Sequence, residues 1–418
     1  LFAAHGGIAS GKRAAAGSVA MSRKDFILLM LFRATRSVAA GMIMIVFPYL
    51  VLQRLNYGPL TLGILYVVGA LATAALGLVI GSLADVWGRK KALLVAGLLM
   101  PISSLLVFAS SHLALLALAA ALGGFSATGS LAGGGAGGAA APIQMAVIAD
   151  LSVRERRTFF FSTFSFLSGA FGAAGALLAR LFDVHTAFLA ATLISAAGVP
   201  LILGLSVKDA GGRMGRLRSK IIVGKFSLTG LLNGFASGLL VPFLIPFFVL
   251  VYSLPKSTMA VYGFISGSLA SVALLAAPAL ERRLGFVRSI AWTRGIGTAL
   301  LVVMPLVRWL PISLFIYILT PALRIAAIPV QQAALAEMVE PDERGRALAA
   351  NQVARLTASS GAIAFTGWMF DLSEIALPFF AYAGVMVANI YLYFRFFSAW
   401  EATGGPRAPG GRNQIKQT

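Results

Sequence analysis

The chain has 418 residues, 59% of them hydrophobic and 11% charged, and a mean hydropathy of +0.88, so a soluble domain of this size has no way to hide its apolar surface. Its formal net charge of +20 comes from 34 Lys and Arg against 14 Asp and Glu. The absence of cysteine excludes disulfides and thiolate metal sites, and His5, His112 and His185 lie too far apart in the expected topology to form a metal cluster.

A helix needs about 20 mostly apolar residues to cross the hydrocarbon core of a bilayer. Twelve segments qualify, at about 26–52, 59–83, 92–110, 113–149, 158–180, 184–206, 226–252, 257–279, 289–307, 311–338, 347–370 and 375–397. They divide the chain into an amino-terminal tail (1–25), six spans (26–206), a basic linker (207–225), six more spans (226–397) and a carboxy-terminal tail (398–418). Residues 1–20 are rich in Ala and Gly and lack the apolar core of a signal peptide. Met21 reads as the natural start, or the residues ahead of it as a disordered tail. With the amino terminus inside, most Lys and Arg fall in loops on one side of the membrane. Only Arg54, Arg180, Lys256 and Arg308 fall on the other, and Arg33, Arg36, Arg294, Arg324 and Arg355 lie within spans. This positive-inside distribution puts both termini in the cytoplasm and turns the basic loops toward anionic lipid headgroups. The membrane accounts for the charge, and nucleic acid is not an expected partner.

In chain order, span 1 carries Arg33 and Arg36 three residues apart and so on one face. Arg36 lies near the midplane, roughly 15 Å into the span at 1.5 Å per residue. Span 2 runs into GSLADVWGRKK, Gly81 to Lys91, where charge is dense. Span 4 is overlong because it contains SLAGGGAGGAAA, Ser130 to Ala141. Two readings of that stretch stand: a tolerated insertion that breaks the helix, or an unwound cavity segment that offers backbone groups to a substrate. The next turn, IADLSVRERRTFF, carries Asp150 and Arg157, and span 5 has Gly169, Gly172 and Gly175, spaced for close helix packing. The linker is VKDAGGRMGRLRSKIIVGK.

The second half repeats the first. Span 7 has Asn233 and Ser237 on one face, and Asn233 follows Arg36 by 197 residues. The turn after span 8, PALERRLGFVR, is a faded copy of Gly81–Lys91: Gly285 follows Gly88 by the same 197 residues, and Arg282 replaces the acid. The turn after span 10, LAEMVEPDERGRAL, sets Glu337 against Asp150 and Arg344 against Arg157 at an offset of 187. The difference between the offsets places extra residues in the first half, at 130–141. Span 10 carries Arg324 and, two turns along, Gln331. None of the Asp and Glu falls in the middle of a span, where a cationic substrate or a proton relay would want one. Guanidinium and amide groups stand there instead and suit carboxylate or phosphate. Arg36, Asn233, Arg324 and Gln331 are therefore candidate substrate ligands, with Arg36 and Arg324 as a clamp for an anion. Two alternatives remain open: structural arginines, with Arg33 snorkelling and Arg324 bonded to helix-end carbonyls, or recognition of a polar neutral solute.

Gly81–Lys91 resembles the signature loop of the major facilitator superfamily, loosely G-x-L-x-D-x-x-G-R-K/R-K/R. Gly81, Leu83, Asp85, Gly88, Arg89, Lys90 and Lys91 all fall on that pattern, in the family's place between helices 2 and 3. With the repeated plan and the charge turns, the resemblance covers about residues 26–397. It implies an all-α integral membrane fold of twelve transmembrane helices in two six-helix pseudo-repeat bundles, both termini cytoplasmic, working as a monomer by alternating access. In the family, helices 1, 4, 7 and 10 line the cavity, and the loop's Asp latches the halves near the amino end of helix 11, here near Ala347. By that reading Gly81 lets helix 2 pack closely, Gly88 permits the reversal, and Asp85 acts among Arg89, Lys90 and Lys91. The alternative is a topogenic basic turn. The family keeps helices 9 and 11 more peripheral, so Arg294 and Arg355 receive no ligand role. Drug-proton antiporters of the family often carry Gly-Pro in helix 5, and no Pro follows the glycines here.

The expected function is transport of a small organic solute, possible as an anion, without ATP, cofactor or metal, and no phosphate-cradling G-x-x-x-x-G-K-S/T loop is present. Uniport, anion exchange and proton symport stay open. The alternatives are a multidrug exporter of the same fold, its cavity made apolar by the Phe and Met of spans 1 and 7, and a non-transporting membrane sensor or scaffold. The expected location is the plasma membrane of a prokaryote, as a multi-pass protein.

Overall fold

The computed structural model of the chain describes residues 23–125, 144, 147, 157–206, 219–307, 309–339 and 344–402, all helices and short turns. The helices are α1 (Arg23–Tyr49, extended by a π-helical turn Leu50–Arg54), α2 (Pro59–Trp87), α3 (Arg89–Ala109), α4 (Leu113–Gly123), α5 (Arg157–Leu178) and α6 (Thr186–Leu203). There follow α7 (Lys220–Tyr252, broken by a 3-10 turn at Val241–Phe243), α8 (Lys256–Leu284), α9 (Phe286–Leu306), α10 (Leu310–Met338), α11 (Arg344–Asp371) and α12 (Leu377–Ala402). Nine of the described helices are long and apolar enough to cross a membrane. Leu113–Gly123 and Thr163–Leu178 are shorter apolar helices. The Gly-rich stretch 130–141, Asp150 and linker residues 207–218 lie outside the described residues.

Proline and glycine set the helix ends. Pro59 starts α2 behind Gly58, where its missing N–H costs no hydrogen bond. Gly124 ends α4 in the left-handed conformation, and Phe125 N–H bonds back to Ala120 O at 3.1 Å. The expected turn at Gly81–Lys91 is tighter than its composition suggests: α2 stays helical to Trp87, and Gly88 alone, at φ 91°, separates it from α3. A Cβ built at Gly81 meets nothing within 4 Å, so the close packing expected there is absent in this conformation.

Within the first half, α1 packs on α5 and α6, and α3 on α4 and α6. Within the second, α7 packs on α11 and α12, α8 on α10, and α9 on α10 and α12. The halves meet where α2 lies on α11 and α5 on α8. The contact of α1 with α5 is backbone against backbone: a Cβ on Gly41 would stand 1.9 Å from Gly172 O, and one on Gly175 would stand 2.0 Å from Val38 O. Small residues permit that approach, the role expected of the spaced glycines.

The apolar core is continuous at one end and divided at the other. A single cluster joins Phe47, Tyr66 and Phe125 to Phe243, Phe247 and Phe370 across the halves, at the end of the molecule that carries the 55–58 and 253–255 turns. Toward the chain termini there are two separate clusters, one with Phe32, Leu93 and Phe164, the other with Phe226, Phe286 and Phe397.

Candidate functional site

A cavity open on one side lies between the halves. Among the described residues its lining comes from α1, α5, α7, α8, α9, α10 and α12. Of the described residues the first half contributes Gly41, Met44, Ile45 and Ala176, and the polar groups come from the second. The described lining holds two arginines, Arg294 and Arg324, and no acidic residue.

Arg324 is half-buried on α10 and makes no hydrogen bond or ion pair with another described residue. Its neighbours in the lining are Thr320, Pro321, Ile325 and, from α12, Tyr382. Arg355 on α11 is near enough to repel it and donates its own hydrogen bond to Gln352 Oε1 at 2.9 Å. Among the described residues the one ion pair is Arg54–Asp183, outside the spans, at 3.3 Å. The described lining therefore carries positive charge and no counter-charge.

Arg294 is held differently. It donates to Asn389 Oδ1 and to Gln331 Oε1, the latter at 3.1 Å, and its guanidinium lies 4.8 Å from the centre of the Tyr393 ring. Asn389 in turn donates to Thr229 O at 2.8 Å. This buried chain fixes one edge of the guanidinium and leaves it beside the cavity. Its position on span 9 discounted it in the sequence. An intramembrane arginine, with an Asn and a Gln on neighbouring spans, was the signal that marked it.

The expected ligands are not all brought together. Gln331 reaches the cavity through Arg294, whereas Asn233 is buried on α7 and outside the lining. Arg36 and Arg324 do not form a clamp here. Arg36 points toward α3 and donates to Ala96 O at 3.0 Å and Gly97 O at 3.2 Å. Arg33 does not snorkel: it is buried, donates to Ser168 Oγ at 2.7 Å and Gln144 Oε1 at 3.0 Å, and lies 4.9 Å from the Phe164 ring centre. Both first-half arginines thus tie α1 to its neighbours.

Of the loop residues, Gly81 and Asp85 fall within α2, and Arg89 and Lys90 open α3. Lys90 Nζ donates to Leu203 O at 2.6 Å and Leu205 O at 2.9 Å, capping the end of α6. Arg157 and Arg344 occupy matching places as the first residues of α5 and α11, and Glu337 lies near the end of α10.

Polar contacts reinforce the closed end. Tyr49 donates its hydroxyl to Leu254 O at 2.7 Å, and Lys256 Nζ donates to Ala179 O at 2.6 Å and to Phe182 O. Each bond crosses between the halves.

The family model of the Major Facilitator Superfamily matches residues 29–328. Among solved structures, a bacterial homolog of the human lysosomal transporter Spinster, inward-facing and unoccupied, is similar with a TM-score of 0.70 at 14% identity, over 92% of this chain and 98% of that one. A mutant of the nucleoside transporter NupG is similar with a TM-score of 0.72 at 12% identity, over 89% and 99%. The human organic anion transporter MFSD10 (TETRAN) gives 0.64 at 14% identity, over 89% and 99%. No curated protein matches the chain in sequence.

Proposed function

The chain belongs to the Major Facilitator Superfamily and is a membrane transporter, and we propose that it carries a small organic anion by alternating access. The observation that carries the anion is Arg324, a cation in the cavity with neither an acidic residue in the lining nor a hydrogen-bond partner among the described residues. Keeping a charge in such a place without a partner is costly, and a guanidinium matches carboxylate in a bidentate way. One of the similar structures is that of an organic anion transporter. At 14% identity the likeness carries only the fold, so the reading rests on Arg324.

The finer architecture belongs to the same proposal: twelve spans in two halves, both termini cytoplasmic by the positive-inside distribution, in a plasma membrane, with one chain as the working unit. The cavity is then closed toward the outside, and loop 81–91 closes the cytoplasmic side in the other state. Asp85→Asn tests the latch. Lost transport with intact membrane insertion supports it, and unchanged transport removes it.

A second reading has its own observation. Met44, Ile45, Leu240, Leu244 and Leu301 give the cavity an apolar wall that would suit a multidrug exporter. Thermal stabilisation of the purified protein by organic anions, sugars, amino acids and cationic drugs separates the two, because a ligand raises the melting temperature with occupancy. Anions that stabilise the parent but not Arg324→Gln support the proposal. Stabilisation by lipophilic cations alone sinks it and favours the exporter.

A further inference from the structure

Resting on the anion reading, we infer that the substrate is an amphiphile with one anionic head, held at Arg324, and an apolar body that lies along the wall formed by α1 and α7. The described lining has few polar groups with hydrogen-bond donors left to give. Ser266 Oγ is used by Tyr317 O at 3.0 Å, Thr293 Oγ1 by Ser289 O at 2.8 Å, and Thr320 Oγ1 by Ile316 O at 2.9 Å. Arg294 is engaged by Asn389 and Gln331. What remains in the described lining is the Arg324 guanidinium, the N–H groups of Arg294 that Asn389 and Gln331 do not take, and the hydroxyls of Tyr317 and Tyr382. That set suits one carboxylate or sulfonate. The hydroxyls of Ser266, Thr293 and Thr320 have their protons committed and can only accept, so a sugar, a nucleoside or a polyhydroxy acid would leave several of its own acceptors unpaired, each at about ten- to hundredfold in affinity.

The placement of charge is as informative as its amount. Among the described residues all the polar lining is on the second half, and the first half offers glycine, methionine, isoleucine and alanine. A molecule charged at one end can orient in such a cavity; a second carboxylate held away from Arg324 and Arg294 would lie against Met44, Ile45 or Leu244.

The test measures binding to the full chain in lipid nanodiscs with butanoate, hexanoate and octanoate, and with suberate, gluconate and octyltrimethylammonium. Each added methylene is expected to tighten alkanoate binding by about two- to fourfold. Octanoate should bind at least tenfold more tightly than suberate or gluconate. Arg324→Gln should lose at least tenfold, Arg324→Lys should retain part of the affinity, and Leu244→Ser should flatten the chain-length series. If gluconate or suberate binds as tightly as octanoate, the amphiphile inference falls and the anion reading stands. If the cation binds and no anion does, the anion reading falls. If octanoate binds Arg324→Gln as it binds the parent, it is partitioning into lipid and the inference is overturned.

Discussion

Gly88 and Gly285 perform one task at matching places, 197 residues apart in the chain. Each is the single residue between two long helices, with φ 91° and ψ 149° at Gly88 and φ 81° and ψ 175° at Gly285. That region is essentially confined to glycine, because a Cβ there clashes with the backbone. The turn has survived in both halves while its surroundings diverged: Lys90 reaches the end of α6 in one, and Glu401 accepts the N–H of Val287 at 3.3 Å in the other. Gly88→Ala or Gly285→Ala should each cost about 1–3 kcal/mol of stability. Gly81→Ala, in a helix with open space around it, should be neutral or stabilising by up to about 1 kcal/mol. Thermal melts of the three variants check this, and a Gly88→Ala protein as stable as its parent would overturn the backbone argument.

The α1–α5 seam gives a sharper steric prediction. Gly41 and Gly175 face backbone carbonyls, which cannot swing aside as a side chain can. Alanine at either should cost about 1–3 kcal/mol by overpacking, and valine should abolish recovery of folded protein. Gly361→Ala is the control, since a Cβ there meets nothing within 4 Å. Size-exclusion yield and melting temperature read the difference. Equal losses at Gly175 and Gly361 would mean that helix propensity, not contact, governs both.

Much of the membrane architecture was legible because it rests on long apolar runs and on glycines at forced positions. The family emerged from Gly81–Lys91, and the repeat from Gly88 against Gly285. The cavity was only partly legible. Arg324 could be found as an intramembrane cation, but depth along a span does not say which way a side chain points. Arg36 sits at a suitable depth and turns to the α3 carbonyls of Ala96 and Gly97. Arg294 sits on a span expected to be peripheral and turns inward, because Asn389 and Gln331 hold it there. Such orientation depends on three helices at once, and no single span's pattern contains it.

The cross-half bonds of Tyr49 and Lys256 must break before this end of the molecule opens. A hydrogen bond from a charged group contributes about 1.5–3 kcal/mol and a neutral one about 1 kcal/mol. Lys256→Met should therefore raise the population open at this end by about tenfold or more, and Tyr49→Phe by about fivefold. The chain has no cysteine, so Leu181→Cys and Glu374→Cys can carry a spin-label pair across this end without further changes. A longer-distance population that grows in Lys256→Met supports the latch. An unchanged distance distribution means that the aromatic cluster alone keeps this end shut.

Anion binding should be flat from pH 6 to 8. The described cavity lining contains no Asp, Glu or His, and a guanidinium stays protonated across that range. A carboxylate substrate is ionised throughout it. Asp183, near the closed end, is held at about 2, first by the hydroxyl of Thr186 and then by the backbone N–H groups of His185 and Thr186 and by Arg54. Because its folded value is depressed, the stability it contributes is complete above the ordinary carboxylate range and fades only as pH falls toward about 2, well below the window tested. Binding constants for one alkanoate at pH 6, 7 and 8 should therefore agree within about twofold. A tenfold change per pH unit would require a titrating group at the site. It would move proton symport ahead of uniport and anion exchange.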